Sequence, residues 1–146
     1  MKAHELDVYL RKGDLYVVPS LPSRTGMVAL DAVVKVEGGW AGLAATLREG
    51  ERLALNESKR PAAKRRTGKL EKLIEAAGCK AFAEFVQGTV MCSIVRVPDY
   101  VLVTKLLPDA RRNTFEGSHQ EQHSPDTAIE ELARIARRML EEPDAE

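Results

Sequence analysis

The stretch TVMCSIVRVPDYVLVTKLL, from Thr89 to Leu107, decides the fold class. Its first half, to Val97, is apolar at alternate and intervening positions alike, which is the pattern of an interior strand. Pro98-Asp99 supplies a turn, and Tyr100 to Leu107 returns as the partner, closed by Pro108. Upstream, Ala81, Phe82, Phe85 and Val86 form the apolar stripe of a short helix that Gly88 ends. Leu70, Leu73, Ile74 and Ala77 form another, with Gly78 as its cap.

Further toward the N-terminus the segment 56–68 (NESKRPAAKRRTG) is polar, basic and broken by Pro61, and reads as an exposed connection. Trp40, Leu43, Ala44 and Leu47 recur at helical spacing before it. Val28 to Val36 reads as a strand, stopped by Gly38-Gly39. Pro19 and Pro22 place a loop ahead of it, because proline cannot extend a central strand. The chain opens with two short strands, Leu6–Leu10 and Leu15–Val18, around the turn Lys12-Gly13-Asp14.

Downstream of the strand pair, 109–123 reads as a long polar loop containing Gly117. Ser124 suits a helix N-cap and Pro125 the first helical position. Ile129, Leu132, Ala136, Met139 and Leu140 then form a continuous apolar stripe, and residues 143–146 read as a frayed tail. Together these elements predict an α+β fold in a single domain spanning 1–146. Its central sheet is mostly antiparallel, of about five strands flanked by about four helices.

Composition narrows the function. Hydrophobic residues make up 44% and charged residues 30% of the chain, the balance of a globular protein. The 22 basic and 22 acidic residues cancel, so any electrostatic preference must come from how they are distributed. Two cysteines without a CxxC, a charged N-terminus without an apolar core, and no run near membrane-spanning length predict a cytoplasmic protein with no membrane partner.

Chemistry-bearing motifs are weak. His119 and His123 are four residues apart but lack HExxH order and a third ligand, and exposed loop histidines are the better reading. Cys92 lies in the most apolar strand and reads as a buried small hydrophobe; only an exposed, quickly alkylated Cys92 would favour a hydrolase or transferase using it or His119. No catalytic group, metal or cofactor is expected.

Charge is segregated along the chain. Between Arg48 and Lys72 nine Lys or Arg face four Asp or Glu, and Lys59, Arg60, Lys64, Arg65 and Arg66 form a candidate nucleic-acid contact. A solvated basic loop is the plainer reading, and no direct nucleic-acid partner is expected. From Glu116 to Glu146 nine acidic residues face three arginines. Glu116, Glu121, Asp126, Glu130 and Glu131 cluster around the long loop and helix entry, as a patch suited to a basic partner.

The order of the pieces resembles the CdiI immunity proteins of contact-dependent growth inhibition systems, in the branch known as a domain of unknown function. The resemblance runs from about Leu15 to Leu140. It rests on LYVVPS, VVKVEGGWAGLAATL, ALNESKRP, LEKLIEAAGCKAFAEF, SIVRVPDYVLVTKLLP and a polar loop with Phe115 before the final helix. The basic KRPAAKRR loop is more charged than the family's usual connection. The resemblance implies a protein that binds and neutralises the C-terminal toxin domain of a cognate CdiA effector, commonly a nuclease and often one acting on transfer RNA, without chemistry or a cofactor. On this expectation Phe115 is an apolar anchor beside the carboxylates of Glu116, Glu121, Asp126, Glu130 and Glu131. The alternative is a small nucleic-acid-associated protein using the 59–66 loop. Neither reading sets the oligomeric state.

Overall fold

The structure, a computed structural model, describes residues 3–24, 26–68 and 70–142. Strand β1 (His4–Arg11) and strand β2 (Asp14–Ser23) pair from Arg11↔Asp14 to Glu5↔Ser20. Lys12 and Gly13 both have positive φ, 50° and 82°, so the two-residue turn has the handedness that matches strand twist. Strand β3 (Gly26–Ala29) and the two-residue strand β4 (Val34–Lys35) both pair with β2. A 3-10 turn, Gly39–Gly42, leads into helix α1 (Leu43–Ser58). Gly42 is required there, because a Cβ would fall inside the contact distance of the Glu37 carbonyl. After the basic connection come helices α2 (Glu71–Ala76) and α3 (Phe82–Val86), strands β5 (Thr89–Arg96), β6 (Val101–Asp109) and β7 (Thr114–His123), and helix α4 (Ile129–Glu141).

The fold is α+β, with one antiparallel sheet in the order β3-β2-β1-β5-β6-β7 and β4 also on β2. The described residues form seven strands, against about five expected, and four α-helices, as expected. Strands β1 and β5 lie at the centre, so the interior character of Thr89–Arg96 is correct. One sheet face carries α1 and α4. It holds the larger core, in which Leu6, Val8, Val17, Cys92, Ile94 and Val103 meet Leu43, Leu47, Leu132, Ala136 and Met139. The other face is covered at one end by α2 and α3, where Tyr9, Tyr16, Val18 and Met91 meet Leu73 and Phe85.

Four expectations are corrected. Residues 114–123 of the expected 109–123 loop are strand β7, paired with β6 from Asp109↔Thr114 to Val101↔His123 through Pro108↔Phe115. It is an edge strand whose side chains are mostly exposed, so its polarity disguises it. Pro19 and Pro22 lie inside β2 and not in a loop. The Pro19 carbonyl accepts from Leu30 on the β3 side, so its missing N–H faces the gap between β3 and β4, and Pro22 lies beyond the last β1 pair. Val28–Val36 is not one strand but is broken between β3 and β4. Helix α4 begins at Ile129 and not at Ser124, because Arg96 takes the carbonyls of Pro125 and Thr127 at 2.8 and 3.2 Å. Those carbonyls are held from the helical ladder, and Ser124 closes a separate turn by accepting from Thr127 N–H at 3.0 Å. The expected frayed tail at 143–146 lies outside the described residues.

Candidate functional site

Of the residues expected to form one patch, Phe115 is separated from the carboxylates by the sheet. The register between β6 and β7 shifts between Lys105↔His119 and Leu106↔Gly117, leaving Ser118 as a bulge. Because side chains alternate along a strand, this single extra residue reverses the phase. Phe115 and Glu121, both odd-numbered, therefore point to opposite faces. Phe115 is half-buried on the α3 face, with ring centroids 6.0 Å from Tyr9 and 6.3 Å from Phe82. It is part of an aromatic cluster with Phe85 and not an exposed anchor.

Glu121 lies on the α4 face, where Arg138 donates to both carboxylate oxygens at 2.8 and 2.7 Å. His119 and His123 flank it at 3.0 and 3.1 Å. These contacts, Arg138 first, hold the Glu121 carboxyl down at about 2. The two histidines thus share one strand face through a carboxylate already held by a guanidinium. Among the described residues no group of three His, Cys, Asp or Glu has metal-binding geometry. The other carboxylates are also matched internally: Glu130 by Arg48 of α1, Glu131 by Arg134, and Glu116 by Arg112 at 3.9 Å. Asp126 has no basic partner among the described residues.

The basic segment is exposed along most of its length, as expected, but is tethered at its start. Its first residues, 56–58, complete α1, and Glu57 is 4% exposed. The Glu57 carboxylate accepts the Arg66 backbone N–H at 2.7 Å and its guanidinium at 3.1 Å, and lies 3.6 Å from Arg60. These contacts lower its pKa. Arg65 donates to the Ser58 carbonyl, and Thr67 bridges to Leu30. Lys59 and Lys64 alone of the five candidate cations have no partner among the described residues.

Cys92 is fully buried, and burial pushes its thiol up to about 12. The thiolate that a nucleophile requires is therefore absent near neutrality. The buried His4 meets the half-buried Glu51 at 2.8 Å, and Glu51 lies 3.2 Å from Arg96, in a network between β1, α1 and β5. Through Arg96 it orders the turn before α4.

One region went unnoticed in the sequence. On the face opposite α1 and α4, side chains line up across four strands in two rows: Glu5–Val95–Leu102–Gln122 and Asp7–Ser93–Thr104–Gln120. Helix α3 stops short of both rows, whose members on β5, β6 and β7 are half-exposed or exposed. Asp7 itself is 7% exposed, and its Oδ1 has no hydrogen-bond partner. Burial, and then the neighbouring Glu5 carboxylate, raise its pKa well above the ordinary carboxylate range. The available signal was the alternation of Glu5 and Asp7 with Leu6 and Val8, which sets two carboxyls on one face of a strand.

No protein-family model matches the chain, and no curated protein matches it in sequence. The class defined by the geometry is a single antiparallel sheet with long helices on one face and short ones on part of the other. Solved structures share that arrangement along their whole length. One is a chain of a CdiA-CT/CdiI toxin and immunity complex from Yersinia pseudotuberculosis. It is similar at 12% identity and a TM-score of 0.62, over 97% of this chain and 99% of that one. Another is a protein of unknown function from Neisseria meningitidis, at 10% identity and a TM-score of 0.62, over 95% and 94%. At these identities what is shared is the fold. Among the described residues no helix is long and apolar enough to cross a membrane.

Proposed function

We propose that this chain is an immunity protein of the CdiI type, which binds and neutralises in the cytosol the C-terminal toxin domain of a cognate CdiA effector. The observation that carries this reading is the end-to-end fold match to a chain of a toxin and immunity complex. It acquires weight because the order of sequence segments resembles the same family independently. In this reading the toxin is a nuclease, and inhibition consists of covering its active site, so the inhibitor needs binding surface and no catalytic group. A buried, protonated Cys92 and carboxylates engaged by internal arginines accord with such a role.

The carboxylates around α4, from Glu116 and the partly shielded Glu121 to Asp126, Glu130 and Glu131, are one surface open to the toxin. Their internal arginines reduce the field they project. The second reading, nucleic-acid association through the 59–66 segment, is disfavoured by the engagement of Arg60 and Arg66 with Glu57 and of Arg65 with Ser58.

The test is coexpression of the tagged chain with the toxin domain encoded beside it, followed by pull-down in physiological and high salt. A stoichiometric complex that also protects cells from the toxin supports the proposal. Co-purification of nucleic acid instead, lost in salt, supports the second reading.

A further inference from the structure

We infer that the toxin docks on the uncovered half of the sheet face opposite α1 and α4, presenting a Lys- or Arg-bearing segment to Glu5, beside the buried Asp7. This inference rests on the immunity reading and names its surface. The first observation is apolar. Val95 and Leu102 are neighbours on the interior strands β5 and β6, yet both remain partly exposed. A solvated face of an antiparallel sheet is normally polar, and aliphatic residues at its centre mark a surface that is covered in use.

The second observation is charge. The two uncovered rows contain Glu5 and Asp7 and no lysine or arginine. The arginine that shares this face, Arg11, lies under α3, where it donates to the carbonyls of Phe85 and Gln87. The side chains around the carboxyls, Ser93, Thr104 and Gln122, are uncharged and able to hydrogen-bond. The surface therefore complements a cationic segment, and among the described residues no internal cation pairs with it, unlike the α4 side.

The third observation is Asp7. It is more than nine-tenths buried, it lies between Val18 and Ser93 in its row, and its Oδ1 lacks a donor. Glu5 is its neighbour on the same face. A guanidinium or ammonium arriving from the partner would engage the more accessible Glu5 beside it. Loss of such a charge from the interface weakens binding by roughly 30-fold or more.

The experiment measures affinity for the toxin domain encoded beside the gene, in a catalytically inactive form, by titration calorimetry. Wild type is compared with Glu5→Lys, with Thr104→Lys and with the paired change Glu130→Lys, Glu131→Lys on α4. The expected result is a loss of roughly 30-fold or more for each of the first two and a change below about threefold for the last. Losses confined to the α4 variant, or wild-type affinity in all three, overturn this surface while leaving the immunity reading intact. Failure of the wild type to bind overturns the immunity reading and this inference with it. If Glu5→Lys does not fold, a photo-crosslinking residue at the exposed position Gln122 must join to the toxin, and one at Glu131 must not; the reverse pattern overturns the inference.

Discussion

Arg138, in the last turns of α4, donates to both carboxylate oxygens of Glu121 on β7, and so joins the final helix to the edge strand of the sheet. The contact is bidentate and partly shielded, which sets it apart from the more exposed pairs Glu131–Arg134 and Arg137–Glu141.

Replacing Glu121 should therefore alter the acid limb of stability. Its carboxyl ionises at about 2 in the folded chain, against an ordinary value of 4.5. A lowered folded pKa contributes stability that is complete above about pH 4.5 and lost as pH falls toward 2. Glu121→Gln should lower stability by about 1 kcal/mol at pH 7, and the difference from wild type should shrink between pH 5 and pH 2. Urea unfolding across that range checks it; a difference independent of pH would refute the assignment.

Phe115 should behave as a core residue. Its ring lies between Tyr9 and Phe82, so Phe115→Ala removes two edge-on aromatic contacts. A loss of about 2 kcal/mol is expected, below the roughly 3–5 kcal/mol of a fully buried phenylalanine. Equilibrium unfolding measures it, and a change within a few tenths of a kcal/mol would show that the ring is dispensable.

The basic connection should loosen when Glu57 is neutralised. Glu57→Gln weakens the hold on Arg66 and Arg60, at an expected loss of about 1–3 kcal/mol. Limited trypsin digestion should then cut after Lys64, Arg65 or Arg66 sooner than in wild type. Unchanged cleavage kinetics would mean that the segment is held by its bridge to Leu30 instead.

The two thiols should differ in reactivity. Cys79 is half-exposed, whereas Cys92 is enclosed between β1 and β6 with its thiol pushed up to about 12. Alkylation of the native chain at pH 8 should label Cys79 first and reach Cys92 only through unfolding. Mass spectrometry of the labelled peptides distinguishes them. Prompt labelling of Cys92 would restore the hydrolase or transferase reading.

Local sequence determined the elements whose signals are carried by neighbouring residues. Lys12-Gly13 set the first hairpin, the doubly apolar Thr89–Val97 set an interior strand, and the Ile129–Leu140 stripe set an amphipathic helix. Tertiary structure alone decided β7, because an edge strand with solvent on its side chains is held by backbone pairing and needs no apolar alternation. It decided the start of α4 as well, since the carbonyls of Pro125 and Thr127 are taken by an arginine from a distant strand. The candidate surfaces were hidden for a related reason. A carboxylate's field depends on which cations lie beside it, and the partners of Glu121, Glu130 and Glu57 are brought by folding. One bulged residue at Ser118 then decides that Phe115 and Glu121 look to opposite sides of the sheet.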